Sequence, residues 1–212
     1  NNNVAVGTNA GLVLQGAAHS NTLIGAQVGK SLTTSTANTA VGFEALSTAT
    51  AFGESTAFGY RALKTSGDGH SNTSVGFESL VALNTGTSNV AIGHESGHDI
   101  NSGVQNTLVG AESGDNITTG DNNVCIGYNV DHAAVGGDHA IVIGIGITAA
   151  ANDFSFGKTS NVVTNDFDAD AAFSRSSDER LKKNITNQTL GLDFINDLRT
   201  VKYNWKPSDE LD

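Results

Sequence analysis

Short apolar bursts closed by glycine recur along this chain. Val4-Ala5-Val6-Gly7 is followed by Thr22-Leu23-Ile24-Gly25, Thr39-Ala40-Val41-Gly42, Thr56-Ala57-Phe58-Gly59 and Thr73-Ser74-Val75-Gly76. Val90-Ala91-Ile92-Gly93, Thr107-Leu108-Val109-Gly110, Val124-Cys125-Ile126-Gly127 and Ile141-Val142-Ile143-Gly144 continue the series. The first two glycines stand 18 residues apart and the next seven intervals are each 17. A degenerate tenth copy, Asp153 to Gly157, closes after only 13. The residue three before each glycine is β-branched, the residue just before it is large and apolar, and the one between is mostly Ala, Ser or Cys. β-Branched residues at period two predict strands. The larger apolar side chains are expected to point into a coil interior, with the small middle residues lying against a close neighbour. Three residues past the glycine comes another small or apolar slot, including Ala10, Val28, Ala45, Ala62 and Val130. Each repeat thus reads as a strand, a glycine corner, a second short segment and a variable loop.

A period this constant predicts a stacked array, and alternating patterning makes it an all-β parallel solenoid, or β-roll. The single Pro among 212 residues agrees, since proline cannot donate to a ladder. Nine rungs at about 4.8 Å give an array on the order of 40 Å long. Each strand opens on Asn3, Asn21, Asn38, Asn72, Asn89, Asn106 or Asn123, with Ser55 and Ala140 as substitutes. Stacked asparagines can bond one another as a register-fixing ladder, or each can bond its own backbone in a turn. The pattern supports both.

Composition narrows the function classes. A net charge of −11 argues against nucleic acid, which is bound through clustered Lys and Arg. No apolar run is long enough for a membrane-spanning helix, so no membrane insertion is expected. One cysteine, Cys125, excludes an intrachain disulfide framework and reads as packing. The chain opens on Asn1, without a signal peptide, which reads as a processed product or a fragment.

Several columns hold candidate chemistry. Glu44, Arg61, Glu78, Glu95 and Glu112 share the slot two past the glycine, where Arg61 can pair with its acidic neighbours and the remainder form a solvated face. Asp166, Asp168 and Asp170 match no calcium loop. Phe43, Tyr60, Phe77 and Tyr128, with His94 in register, can stack on sugar rings or fill a seam between coils or subunits. His94, His98 and Asp99 read as loop residues before metal ligands, and no metal or cofactor is expected. The threonine column resembles an ice-binding ladder, but Val4, Val90, Val124 and Ile141 interrupt it.

The "NTAVG" and "NVAIG" motifs resemble the head repeats of trimeric autotransporter adhesins and comparable phage tail-fibre repeats. The likeness covers about Asn3 to Gly157 and implies β-rolls packed as threefold homotrimers. The period of 17 is a little longer than in the usual adhesin head. After Asn161 the pattern changes. "SDERLKKNI" from Ser177 to Ile185 precedes helical spacing at Leu190, Phe194, Ile195 and Leu198, then alternation at Val201, Tyr203 and Trp205. That segment resembles the start of the endosialidase intramolecular chaperone domain, matching at Ser177, Asp178, Arg180, Lys182, Ile185 and Gly191. The resemblance implies a short α/β segment that drives trimerisation and then cleaves the chain between Ser176 and Ser177. Ser177 would be the nucleophile and Lys182 its base. Read locally, "SDERLKK" is equally an N-capped helix start.

The organisation expected is a solenoid over 1–157, a connector over 158–176 and the chaperone start over 177–212. The function expected is an extracellular trimeric fibre or adhesin, on a virion tail or bacterial surface, attaching to a glycan or other receptor. Recognition is expected in the loops Gly11 to Ser20, Ser47 to Glu54, Lys64 to Ser71 and Asp131 to Asp138. The alternative is a glycan-depolymerising tailspike.

Overall fold

A computed structural model describes residues 2–50, 53–65 and 67–169. The chain divides into two units, Asn1–Ala171 and Ala172–Asp212, and the following concerns the first. Among the described residues there is no helix, and so none able to cross a membrane. The strands are β1 (Val4–Val6), β2 (Thr22–Ile24), β3 (Thr39–Val41), β4 (Thr56–Phe58), β5 (Thr73–Val75), β6 (Val90–Ile92) and β7 (Thr107–Val109). They continue as β8 (Val124–Tyr128), β9 (Asp131–His132), β10 (Ile141–Ile145), β11 (Thr148–Ala149), β12 (Asp153–Lys158) and β13 (Asn161–Asp166).

The repeat is a parallel β-solenoid. Strands β1 to β8, then β10 and β12, pair in parallel, each on the one before, and β13 joins antiparallel at the end. Register follows the glycine columns: Thr39 faces Thr56 and Ala40 faces Ala57. The 18-residue first interval still places Val4 opposite Thr22. The shortened last rung also keeps register, with Gly144 opposite Gly157. The missing residues come out of its loop, leaving the ladder intact. The second short segment is mostly turn, and only in the last rungs do β9 and β11 pair as a second, two-stranded sheet.

The corner glycines stack backbone on backbone. A Cβ built at Gly76 would run into the carbonyl of Gly93, and φ there is +141°, a region side chains avoid. No other residue type fits this slot.

The interior departs from the expectation. From β2 to β8, and in β10, the second residue of the strand is the buried one: Leu23, Ala40, Ala57, Ser74, Ala91, Leu108, Cys125 and Val142 are closed to solvent, while β1, in the first rung, is exposed throughout. The large residue before the glycine faces outward, with Val6 56%, Phe58 55%, Ile92 41% and Ile143 40% exposed. Two facing walls of a 17-residue coil lie too close for isoleucine from every strand. The interior is instead filled by small strand residues and by Leu46, Leu63, Leu80, Leu83, Ile100 and Ile117 from the turns.

The asparagines form the ladder, and a local bond to nearby backbone is made by Asn72, whose Nδ2 donates to His70 O at 3.1 Å. Asn106 Nδ2 donates to Asn89 Oδ1 at 3.1 Å, and the Asn106 backbone N–H donates to the same oxygen at 3.0 Å. The Nδ2 also donates to Gly120 O at 2.8 Å, tying down the turn of the next rung. The pattern recurs at Asn21, Asn89 and Asn123. At Ser55 the ladder thins: its hydroxyl accepts the Asn72 N–H at 3.0 Å and donates to Gly53 O.

Candidate functional site

Inversion of the strand leaves three columns on the outer face of the long sheet. The first is the Thr and Val slot at the strand start and the second is the Val, Ile and Phe slot before the glycine. The third follows the glycine. There Phe43, Tyr60, Phe77 and His94 stack in file, with centroid spacings of 5.6, 5.0 and 5.1 Å and ring planes within 15° of parallel. Ala111 follows in this column, so Tyr128 stands beyond the stack, 53% exposed. Offset rings at this spacing attract, which adds side-chain register to the backbone ladder. Sequence reasoning placed the wrong column inside. The signal available was size: the middle slot stays small in most copies while the outer slot admits Val, Ile and Phe alike.

The charged column forms as expected at its start. Arg61 Nε meets Glu44 Oε2 at 2.9 Å and Arg61 Nη1 meets Glu78 Oε1 at 3.1 Å, while Lys64 Nζ reaches Glu44 at 3.3 Å. The Arg61 guanidinium also lies 4.9 Å from the Tyr60 ring centre. Partial burial would raise the Glu44 carboxyl, but hydrogen bonds from Arg61 and Lys64 outweigh it and hold it below its usual range.

Further along, the sequence grouping of His94, His98 and Asp99 separates. His94 belongs to the ring stack, 3.8 Å from Glu95. His98 Nδ1 lies 2.7 Å from Asp99 Oδ1, and Asp115 of the following rung joins them. One ligand atom from each of His98, Asp99 and Asp115 falls within 4.8 Å of the others. Burial works against a charged His98, but Asp99, Asp115 and Glu95 prevail and raise its pKa. Asp115 is pushed up by burial and by the charge of Asp99. Asp115 went unnoticed in the sequence, although it repeats His98 at a spacing of 17.

Next in line, Asp131 is 7% exposed and its carboxyl is pushed up to about 6 by burial, against hydrogen bonds from the Asn116 and His132 amides. His132 is buried, with Nδ1 accepting from Ala134 N at 2.9 Å, and burial lowers its pKa. This start of the presumed recognition loop is therefore strand and interior. Cys125 is packed inside, its thiol pushed up to about 12 by burial. Asp168 is tied to Asn152 Nδ2 at 2.8 Å, while Asp170 lies outside the described residues. The loops Ser47 to Glu54 and Lys64 to Ser71 contribute to a cleft of about 340 Å³ lined by Thr36, Gly53, Glu54, Asp68 and His70.

Ser177, Lys182 and the cut between Ser176 and Ser177 lie outside the described residues, as do the expected helix and the Val201 to Trp205 strand. Comparison with known sequence families reaches this part. Residues 177–212 match the family described as Peptidase_S74, chaperone of endosialidase. No curated protein and no solved structure matches the chain. A β-solenoid followed by this chaperone segment fits a phage fibre-type protein.

Proposed function

We propose that the chain is a segment of a homotrimeric extracellular fibre, on a virion tail or bacterial surface, that attaches to a cell-surface glycan or other receptor. The C-terminal segment promotes trimerisation and cuts the chain between Ser176 and Ser177, with Ser177 as nucleophile and Lys182 as base. The observation that carries the reading is the outer face of the long sheet. Some ten strands at about 4.8 Å, with about 13 Å of strand bearing Thr, Val, Ile and aromatic columns, make an apolar strip on the order of 500 Å². A patch of about that size is at the upper end of what a monomer exposes and is often a contact surface. Three identical strips facing one axis cover one another, and repetition along the fibre multiplies weak receptor contacts at the loops.

Light-scattering mass in solution tests the assembly. The expected result is three chains for wild type and a smaller mass for the Phe58→Asp, Ile92→Asp double variant, with the β-sheet circular dichroism of its rungs retained. A wild-type mass of one chain would sink the proposal. Self-cleavage is read from intact mass: a product ending at Ser176 for wild type, and full length for Ser177→Ala.

A further inference from the structure

We propose that His98, Asp99 and Asp115 form a binding site for one divalent transition-metal ion per chain, on the solenoid surface where the sixth and seventh rungs meet. The solenoid brings these groups together by stacking. His98 and Asp115 occupy the same slot in successive rungs, and Asp99 follows His98. Their ligand atoms lie within 4.8 Å of one another. Around a first-row ion with bonds of about 2.0–2.2 Å, ligands stand roughly 3–4 Å apart. The three groups need to close by about 1–2 Å at most, and the His98 and Asp99 side chains are 36% and 58% exposed, with room to do so.

One imidazole nitrogen with two carboxylate oxygens suits zinc, manganese, cobalt or nickel. Calcium and magnesium prefer oxygen alone. The remaining coordination positions face solvent and take water.

A second observation, separate from the ligand geometry, points to a cation. In the earlier rungs the acidic column is neutralised within the protein, because Arg61 and Lys64 hold Glu44 and Glu78. Past Glu78, no Lys or Arg among the described residues does so. Among the described residues, the ion-pair partners of Glu95 and Asp99 are imidazoles, and no ion pair reaches Glu112, Asp115 or Asp131. These carboxylates follow one another along successive rungs, and no Lys or Arg lies in the sequence between Glu95 and Asp131. A divalent ion supplies the positive charge that the sequence provides two rungs earlier as arginine. It takes the place of the contact between His98 Nδ1 and Asp99 Oδ1, and it pins the two rungs together. This inference does not depend on the trimer reading.

The test is calorimetric titration of the EDTA-stripped full chain with Zn²⁺, Mn²⁺, Co²⁺ and Ni²⁺. At least one of these ions should bind with one equivalent per chain, and the visible absorption of bound Co²⁺ should report a nitrogen and oxygen environment. Removing an outer partner of a metal site typically weakens binding 10–100-fold. Loss of a ligand in His98→Gln or Asp115→Asn is therefore expected to cost about ten-fold or more, while Glu78→Gln leaves affinity unchanged. Asp99→Asn, at the most exposed of the three positions, serves where Asp115→Asn fails to fold in EDTA. Absence of stoichiometric binding by all four ions overturns the proposal, as does binding that survives unchanged in the His98 and Asp99 variants.

Discussion

The two faces of the long sheet are written in the same strands yet obey different rules. On the inner face, volume is exchanged between the two walls in rungs two to five and seven. Where the strand carries Leu23 or Leu108, the turn four residues past the glycine carries Gly29 or Gly114; a Cβ added at Gly114 would strike Leu108, and one at Gly29 would strike Leu32 and crowd Leu23. Where the strand carries Ala40, Ala57 or Ser74, the same turn slot holds Leu46, Leu63 or Leu80, all buried. In these five rungs one leucine fills the space, from one wall or the other, whereas the sixth pairs Ala91 with Gly97, against which Leu80 and Leu108 of the adjoining rungs pack. On the outer face no such exchange occurs: Val, Ile and Phe follow one another before the glycine, and Thr and Val at the strand start. Strictness belongs where rung meets rung, and the outer face answers to whatever covers it.

The largest effects should come from breaking the inner rule. Leu63→Gly empties a buried site and is expected to cost about 2–5 kcal/mol, less whatever strain is relieved at a leucine with φ of +50°. Ala57→Leu overfills the same rung at about 1–3 kcal/mol. The double variant recreates the pairing of Leu23 with Gly29 and should unfold closer to wild type than Leu63→Gly does. Denaturant midpoints close this cycle, and strictly additive costs would refute the exchange. Phe58→Val, one residue away on the outer face, should change rung stability by less than about 0.5 kcal/mol.

Next in size is the asparagine file on the inner face. Asn89→Ala leaves the buried Asn106 N–H and the Gly103 carbonyl without the partners they have now. At about 1–3 kcal/mol for each buried group, the loss should exceed about 2 kcal/mol. Asn89→Ser should cost less than Asn89→Ala, because Ser55 already accepts the next N–H in that position. Equal midpoints for the two variants would mean that the hydroxyl contributes nothing.

Much of this fold is written plainly in the sequence, because stacking turns sequence spacing directly into space. The spacing of 17 gives the strands, their register, the glycine corner and the contact of Arg61 with Glu44 and Glu78 without any long-range guess. The inside and outside of the strand are harder to read, since alternation shows that two faces exist and leaves their orientation open. Choosing the larger residues as the core is a sound rule for wide interiors, and it fails in a coil narrow enough for alanine. The His98 cluster was half legible: His98 and Asp99 are adjacent, but Asp115 emerges only when the loops, too, are read as columns. The C-terminal segment lies outside the 17-residue repeat, and its meaning comes from family resemblance.

The smallest effect expected is the one the outer charges make, and its pH dependence distinguishes it from packing. Glu44 has a carboxyl held below the ordinary value of about 4.5 by Arg61 and Lys64. A group whose pKa is depressed by folding stabilises the protein above its unfolded value, and that contribution disappears as pH falls through the folded one. The unfolding temperature of wild type should therefore exceed that of Arg61→Gln slightly at pH 7, with the gap closing below pH about 4.5 as Glu44 protonates. Because the pair is only partly buried, salt should shrink the gap as well. A difference that persists unchanged at acid pH and high salt would assign the role of Arg61 to its stacking on Tyr60. In that case the charges of this column would contribute nothing to holding the rungs together.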